Sequence, residues 1–550
     1  MRLPKEHTGI KFNELCFVEF NNFDVDQLIP AFFWMVRSNG KPRVDSSDRD
    51  PVSLTGKLVA HNNMVGFESN AGQRVLSKWL RTSTFQPVRQ GRSRTGREEV
   101  SYIKPLTFLI YKGPTPRGGS LRQTHLFLHD LLLRHINQGR DNVLYQVVRN
   151  AFARGVELTD GAAKDGIYDG HTHVDLEVLL SLYFLDGLPG VREGTSKLGK
   201  PGEPTCPLAA KTFAEDVVLF LSSYGKLLSA TELASHFAAL LNFEFFHYSL
   251  NLYRGTNSLV NGHESPELSH EQGVSRLEVY VDMTQDRTGR SSVLAQSCIN
   301  RDIEEAESYL RSSILLKTTF DFLSENLEIR KQVLSAEGCN RIRLINSLRD
   351  HPDIQSDARS LLKKLRIHFR GQYDDEELSS DVCALLDEGA TALDRASNTL
   401  YNFQRNNAVN NIMKWIQMTG GLRRGDGILE GNLRGRRNWR YALSDQLLEI
   451  FCMIAAACPE VQEASGRTWK PNTMAQPILL SAFLEFLKKR YGILIAEPPG
   501  FEQSAESMAA AKENLNALRR RLRQMGLFQD LSDDFNAQRI VPRPMQRMSR

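Results

Sequence analysis

Nowhere among the seven cysteines of this 550-residue chain does a Cys-x-x-Cys spacing occur; Cys16, Cys206, Cys298, Cys339, Cys383, Cys452 and Cys458 are scattered and odd in number. That excludes a zinc ribbon or a disulfide framework and predicts buried free thiols in a reducing cytoplasm. No stretch approaches 18 consecutive apolar residues, and the opening MRLPKEHTGIKFNELC lacks an apolar h-region, so neither a membrane span nor an export signal is expected. A repeat of fixed period is missing, which removes the solenoids. A large charge imbalance is missing too. The net charge is only +4, so any nucleic-acid partner must be argued from where the charges sit.

With 41% apolar and 24% charged residues the chain is globular, and it is too long for one ordinary domain. The pattern predicts a mainly α protein with a mixed α+β amino-terminal region and a winged-helix-like module at the carboxy end. Residues 1–123 are basic and irregular, with strand-like runs at Leu15–Phe20 and Leu106–Tyr111. Residues 124–290 read as helical, interrupted by a Gly/Pro-rich loop at Gly187–Pro207 and one strand, Arg276–Asp282. Within them Ser229 and Glu232 offer a helix N-cap. Residues 291–419 read as a helical bundle in which Tyr373–Asp394 carries eight acids and no Lys or Arg.

Residues 420–440, GGLRRGDGILEGNLRGRRNWR, form an arginine- and glycine-rich linker. Arg423, Arg424, Arg434, Arg436, Arg437 and Arg440 there face only Asp426 and Glu430. Six glycines argue against a helix interior and predict a mobile strap. Guanidinium forks pair bidentately with phosphate oxygens, so the strap is a candidate clamp for a nucleic-acid backbone. Arg437-Asn438-Trp439-Arg440-Tyr441 interleaves cations with aromatics, which suits either base stacking or a packing anchor.

Residues 441–550 predict three helices, at Leu443–Cys458, Ala475–Tyr491 and Ser504–Met525, closed by a short hairpin that includes Gln538–Val541. This is the winged-helix plan. Ala475–Tyr491 is the first choice for a groove-reading helix, although its cations, Lys488, Lys489 and Arg490, lie only at its end. Two further basic concentrations accompany the strap. One runs from Lys78 to Arg122 and centres on Arg89, Arg92, Arg94 and Arg97; the other is the helix bearing Arg519, Arg520, Arg521 and Arg523.

Catalytic motifs are weaker. Gly170-His171-Thr172-His173-Val174-Asp175 has the His-x-His opening of metal-dependent hydrolases, and His171, His173 and Asp175 with His263 or His270 would supply the ligands of a hydrolase or nuclease. The mainly helical sequence that follows does not suit a barrel, and Leu176 stands where a lactamase-type site wants histidine. Gly194–Lys200 fits the skeleton of a phosphate loop, but Pro201 takes the place of the hydroxyl residue that magnesium needs. The strand Arg276–Asp282 carries Glu278 and Asp282 without the lysine of a nuclease core, which leaves them as outward-facing charges. No cofactor is expected.

The basic amino-terminal region, the long helical middle and the tail LRRRLRQMGLFQDLSDDFNAQRIVPRP together resemble the large non-catalytic proteins of methylation-associated defence systems. Such proteins work beside ATPase and methyltransferase partners. The resemblance implies a cytoplasmic subunit of a phage-defence or restriction-like complex that holds foreign or unmodified DNA for partner enzymes. A metal-dependent hydrolase and a pure protein scaffold are the alternatives.

Overall fold

The computed structural model describes residues 2–44, 48–60, 65–88, 93, 96–136, 143–157, 167–172, 174, 176–186, 188, 191–195, 202–269, 277–323, 327–370, 380–466, 475–529 and 538–544. Among them the protein is mainly helical, with few and short strands. The amino-terminal third holds α1 (Val25–Arg37), α2 (Pro51–Ala60), α3 (Asn70–Ser83), β1 (Phe85–Pro87), β2 (Val100–Ile103), α4 (Thr124–Ile136), α5 (Val143–Phe152), β3 (Val156–Glu157), β4 (Ile167–Tyr168) and α6 (Leu176–Asp186). The middle holds α7 (Pro207–Tyr224), α8 (Ala230–Val260), β5 (Val279–Tyr280), α9 (Arg290–Phe322), α10 (Leu327–Ser335), α11 (Gly338–Ser347), α12 (Pro352–Arg370), α13 (Ser380–Asp387) and α14 (Ala392–Thr419). Then come β6 (Leu429–Asn432), β7 (Gly435–Tyr441), α15 (Asp445–Ala457), α16 (Pro459–Ala464), β8 (Ile478–Leu479), α17 (Leu480–Tyr491), β9 (Ile493–Leu494), α18 (Ala505–Gln524), β10 (Phe528–Gln529) and β11 (Arg539–Ile540).

Local chemistry starts the long helices. The Ser229 hydroxyl accepts from Glu232 N–H while the Glu232 carboxylate reaches back to Ser229 N–H, a capping box that opens the 31 residues of α8. Thr391 and Asp394 do the same for α14. These helices are stable because their apolar faces are buried together. Trp415 of α14 lies 5.3 Å from both Phe20 and Phe23 and 5.8 Å from Phe245 of α8, and its indole N–H donates to Ser249 Oγ at 2.9 Å. Aromatic clusters of this kind supply both buried area and edge-to-face attraction.

Two expected strands have another form. Leu15–Phe20 is irregular, and Leu106–Tyr111 gives way to a 3-10 helix, Phe108–Lys112. Phe108, Leu109, Ile110 and Tyr111 are all buried, so the run lacks the alternation that marks a half-exposed strand. Of the strand expected over Arg276–Asp282, Arg276 lies outside the described residues and the remainder is regular only at β5. It pairs in parallel with β9 and is buried on both sides; Asp282 does not face outward. Cys383 is exposed, while the other six cysteines are buried.

After residue 441 the order is α15, α16, β8, α17, β9, α18, β10, β11, with β10, β11 and β8 forming an antiparallel sheet in that order. Gly492 ends α17 with φ of 69°, where a β-carbon would strike the Leu277 carbonyl.

Candidate nucleic-acid interface

The arginine-rich segment expected as a mobile strap is an antiparallel β-hairpin. Its register pairs Leu429 with Tyr441, Glu430 with Arg440 and Asn432 with Gly435. Four of the six glycines, Gly420, Gly421, Gly427 and Gly431, serve close packing. A β-carbon on Gly427 would fall onto the Gly420 carbonyl, and one on Gly420 would strike the Leu429 side chain. That proximity lets Gly420 O accept from Ile428 N at 3.0 Å and Leu429 N at 2.9 Å. Trp439 is wholly buried with its indole N–H donating to Asn432 O at 2.8 Å, which makes it a packing anchor.

Strand β7 lies along α9. Arg440 donates to Ser292 Oγ at 2.9 Å, the Gln296 side chain donates to the Arg437 carbonyl, and the Tyr441 hydroxyl donates to Asp302 at 2.7 Å. At the turn the Gln417 amide of α14 donates to Leu433 O at 3.2 Å.

The six arginines divide by this geometry. Arg440 is buried and lies 3.1 Å from Asp282 and 2.9 Å from Glu430. Arg424 lies 2.6 Å from Asp26 and 2.5 Å from Asp426. Burial alone would lower its guanidinium pKa, and the two carboxylates more than reverse this, so Arg424 is fixed as a cation between two anions. Arg436 stands 3.8 Å from Glu307, which also sits 3.7 Å from Arg405 of α14. Arg434 and Arg437 are exposed and have no ion-pair partner among the described residues; Arg423 is exposed, its Nη1 3.8 Å from Met418 Sδ.

The structure adds basic groups outside the three basic concentrations. Arg405 and Lys414 are exposed on α14, beside Asn406 and Asn410. A signal was present. Asn402, Asn406, Asn410 and Lys414 recur every four residues and so share a helix face, although asparagine is a poor helix former.

The Lys78–Arg122 concentration is only partly described. Arg89, Arg92 and Arg94 lie outside the described residues; Arg97 is exposed, Arg81 pairs with Glu98 at 3.3 Å and Arg117 with Glu99 at 2.7 Å. The segment bearing Arg89 to Arg97 lies between β1 and β2 in the chain. Gln86, Pro87 and Tyr102 of those strands line a cavity of about 260 Å³ together with Asp26, Arg423 and Arg424. The strands that flank the first basic segment and the start of the second basic segment are therefore neighbours.

The third concentration is on α18. Arg521 pairs with Asp445 at 2.6 Å, whereas Arg520 is exposed and has no ion-pair partner among the described residues. Arg520 continues an exposed line through Lys512 and Asn516. On α17, the helix first favoured for groove reading, the cations are occupied: Lys488 with Glu497 at 2.5 Å, Lys489 with Glu485 at 3.1 Å, and Arg490 with Asp216 at 2.7 Å.

Among the described residues no three His, Cys, Asp or Glu side chains gather as a metal site. His171 is exposed, its Nδ1 2.9 Å from the Asp169 carbonyl; His173, Asp175 and His270 lie outside the described residues, and His263 is exposed in a turn. Residues 196–200 of the phosphate-loop skeleton also lie outside them. No described helix is long and apolar enough to cross a membrane.

Fold and surface define a mainly helical protein that presents arginines on an anchored hairpin and an adjoining helical face. The chain belongs to the family of methylation-associated defense system protein MAD7, whose model matches residues 5–543. No curated protein and no solved structure matches it.

Proposed function

We propose that this protein is the DNA-holding component of its methylation-associated defence system, a cytoplasmic subunit that grips the duplex backbone while partner proteins, an ATPase among them, perform the chemistry. Membership of the defence family supplies the setting. The observation that carries the reading is the division of the arginines: Arg424 and Arg440 fix the hairpin, and Arg434 and Arg437 are left exposed beside Arg436, Arg405 and Lys414. Guanidiniums held on a rigid support and facing solvent suit phosphate oxygens, since less freedom is lost on contact.

The last unit supports a second element of the same reading. Leaving aside α16 and β9, the order α15, β8, α17, α18, β10, β11 with sheet order β10-β11-β8 resembles a winged-helix plan, in which α18 would take the groove-facing position.

The test is fluorescence anisotropy of duplex DNA at several salt concentrations. Arg434→Ala/Arg436→Ala/Arg437→Ala lowers the slope of log affinity against log salt by up to about three. An unchanged affinity and slope rejects the reading.

A further inference from the structure

Away from the hairpin, a cavity of about 550 Å³ opens between α7, α8, α16 and α17. Its mouth carries Lys211, Glu460, Glu485 and Lys489, and its inner wall includes Thr212, His247, Asn251, Phe486 and Arg490.

The inner wall is polar where a helical core is ordinarily apolar. Arg490 has its edge occupied, with Nε donating to Asp216 at 2.9 Å and an Nη 3.0 Å from Glu215. Its Cζ stands 5.9 Å from the centre of the Phe486 ring. A guanidinium held along its Nε/Nη2 edge is fixed in orientation, and the flat faces of such groups stack on planar rings. Asn251 Nδ2 donates to the His247 carbonyl at 2.9 Å and lies 3.2 Å from His247 Nε2. Nε2 is therefore an acceptor, and the ring proton resides on Nδ1, which has no partner among the described residues. Burial, and then the Arg490 charge, push His247 down to about 3, so the ring is neutral. Behind Arg490 the Glu244 carboxyl is raised by burial and by Asp216.

The lining cations Lys211, Lys489 and Arg490 are matched in number by Glu215, Glu460 and Glu485. A polyphosphate would find no net positive field here. Apolar Leu208, Val461 and Phe486 complete walls that suit a ring.

We propose that this cavity binds a neutral, planar heteroaromatic molecule of nucleoside size, stacked on the Arg490 and Phe486 planes with its polar edge toward Asn251 and Thr212. Its volume falls within the range of small-molecule sites, about 300 to 1,000 Å³.

Isothermal titration calorimetry of the full chain with the four deoxynucleosides, and with ATP as the charged control, tests this. At least one nucleoside saturates a single site, and ATP binds at least about tenfold more weakly, the loss that about 1.4 kcal/mol produces. Ala482→Trp fills the cavity and Asn251→Leu removes its polar edge. Each lowers nucleoside affinity at least about tenfold, by the same measure, and leaves duplex-DNA affinity as it was. Absence of saturable binding by every nucleoside overturns the proposal. So does ATP binding as tightly as the nucleosides, or unchanged affinity in whichever of the two variants folds.

Discussion

Arg440 Nη1 lies 3.1 Å from Asp282 Oδ2, and both side chains are buried: an ion pair closes the hairpin β6–β7 onto the end of β5 across 158 positions of sequence, from 282 to 440. Glu430 at 2.9 Å and Ser292 at 2.9 Å take up further guanidinium donors. Removing one member of a buried pair leaves the other charge uncompensated. Arg440→Met is therefore expected to lower unfolding free energy by about 3 to 5 kcal/mol. Urea denaturation measures this, and a loss below about 1 kcal/mol, the scale of an exposed pair, contradicts the buried role.

Gly427 gives a sharper probe of the hairpin foot. A β-carbon there meets the Gly420 carbonyl, so Gly427→Ala must displace the crossing at which Ile428 and Leu429 bond to Gly420. If the foot holds the arginines in place, this one methyl reduces DNA affinity as far as the Arg434/Arg436/Arg437 triple alanine variant does. Anisotropy compares the two; full wild-type affinity in the glycine variant uncouples the foot from binding.

Adjacent arginines on α18 separate binding from structure. Arg521 is paired with Asp445, whereas Arg520 is exposed in line with Lys512 and Asn516. Arg520→Ala should lower the salt slope of DNA binding by about one, and Arg521→Ala should leave it unchanged. Equal slopes for both variants remove α18 from the interface.

Stability should depend on pH through Glu244. Burial and then Asp216 raise its carboxyl above the ordinary value, while in the unfolded chain a glutamate titrates near about 4.3. The folded state keeps a proton that the unfolded state releases. The stabilisation is thus complete below about pH 4 and is lost as pH rises toward the folded pKa, by about 1.4 kcal/mol per unit. Glu244→Gln removes this slope. Denaturation of both proteins at pH 5 and 8 should show the variant gaining on the wild type as pH rises; a constant difference contradicts a raised carboxyl.

Helices were legible in the sequence wherever local chemistry decides them. Ser229 and Glu232 form the capping box expected of their spacing, and α15, α17 and α18 fall within the three carboxy-terminal helices that apolar periodicity marked out. The hairpin was hidden because glycine has two uses. In a string it suggests freedom, yet Gly420 and Gly427 are small so that two backbones can touch. Long-range pairing was hidden as well. Nothing near Asp282 announces Arg440, so its carboxylate passed for an outward charge. The basic surface was half legible: the arginines stand out by composition, but which face inward depends on Asp26, Asp282 and Asp426, and only folding brings the first two to the segment.

The backbone from Val281 to Met283 is held from two sides. Asn514 of α18 donates to Val281 O at 2.8 Å and accepts from Met283 N at 2.7 Å, while Asp282 N donates to Tyr441 O at 2.9 Å and its carboxylate meets Arg440. Hairpin and helix are thus two tines set in one three-residue handle. The segment therefore couples hairpin and helix directly, in addition to α9, against which both pack.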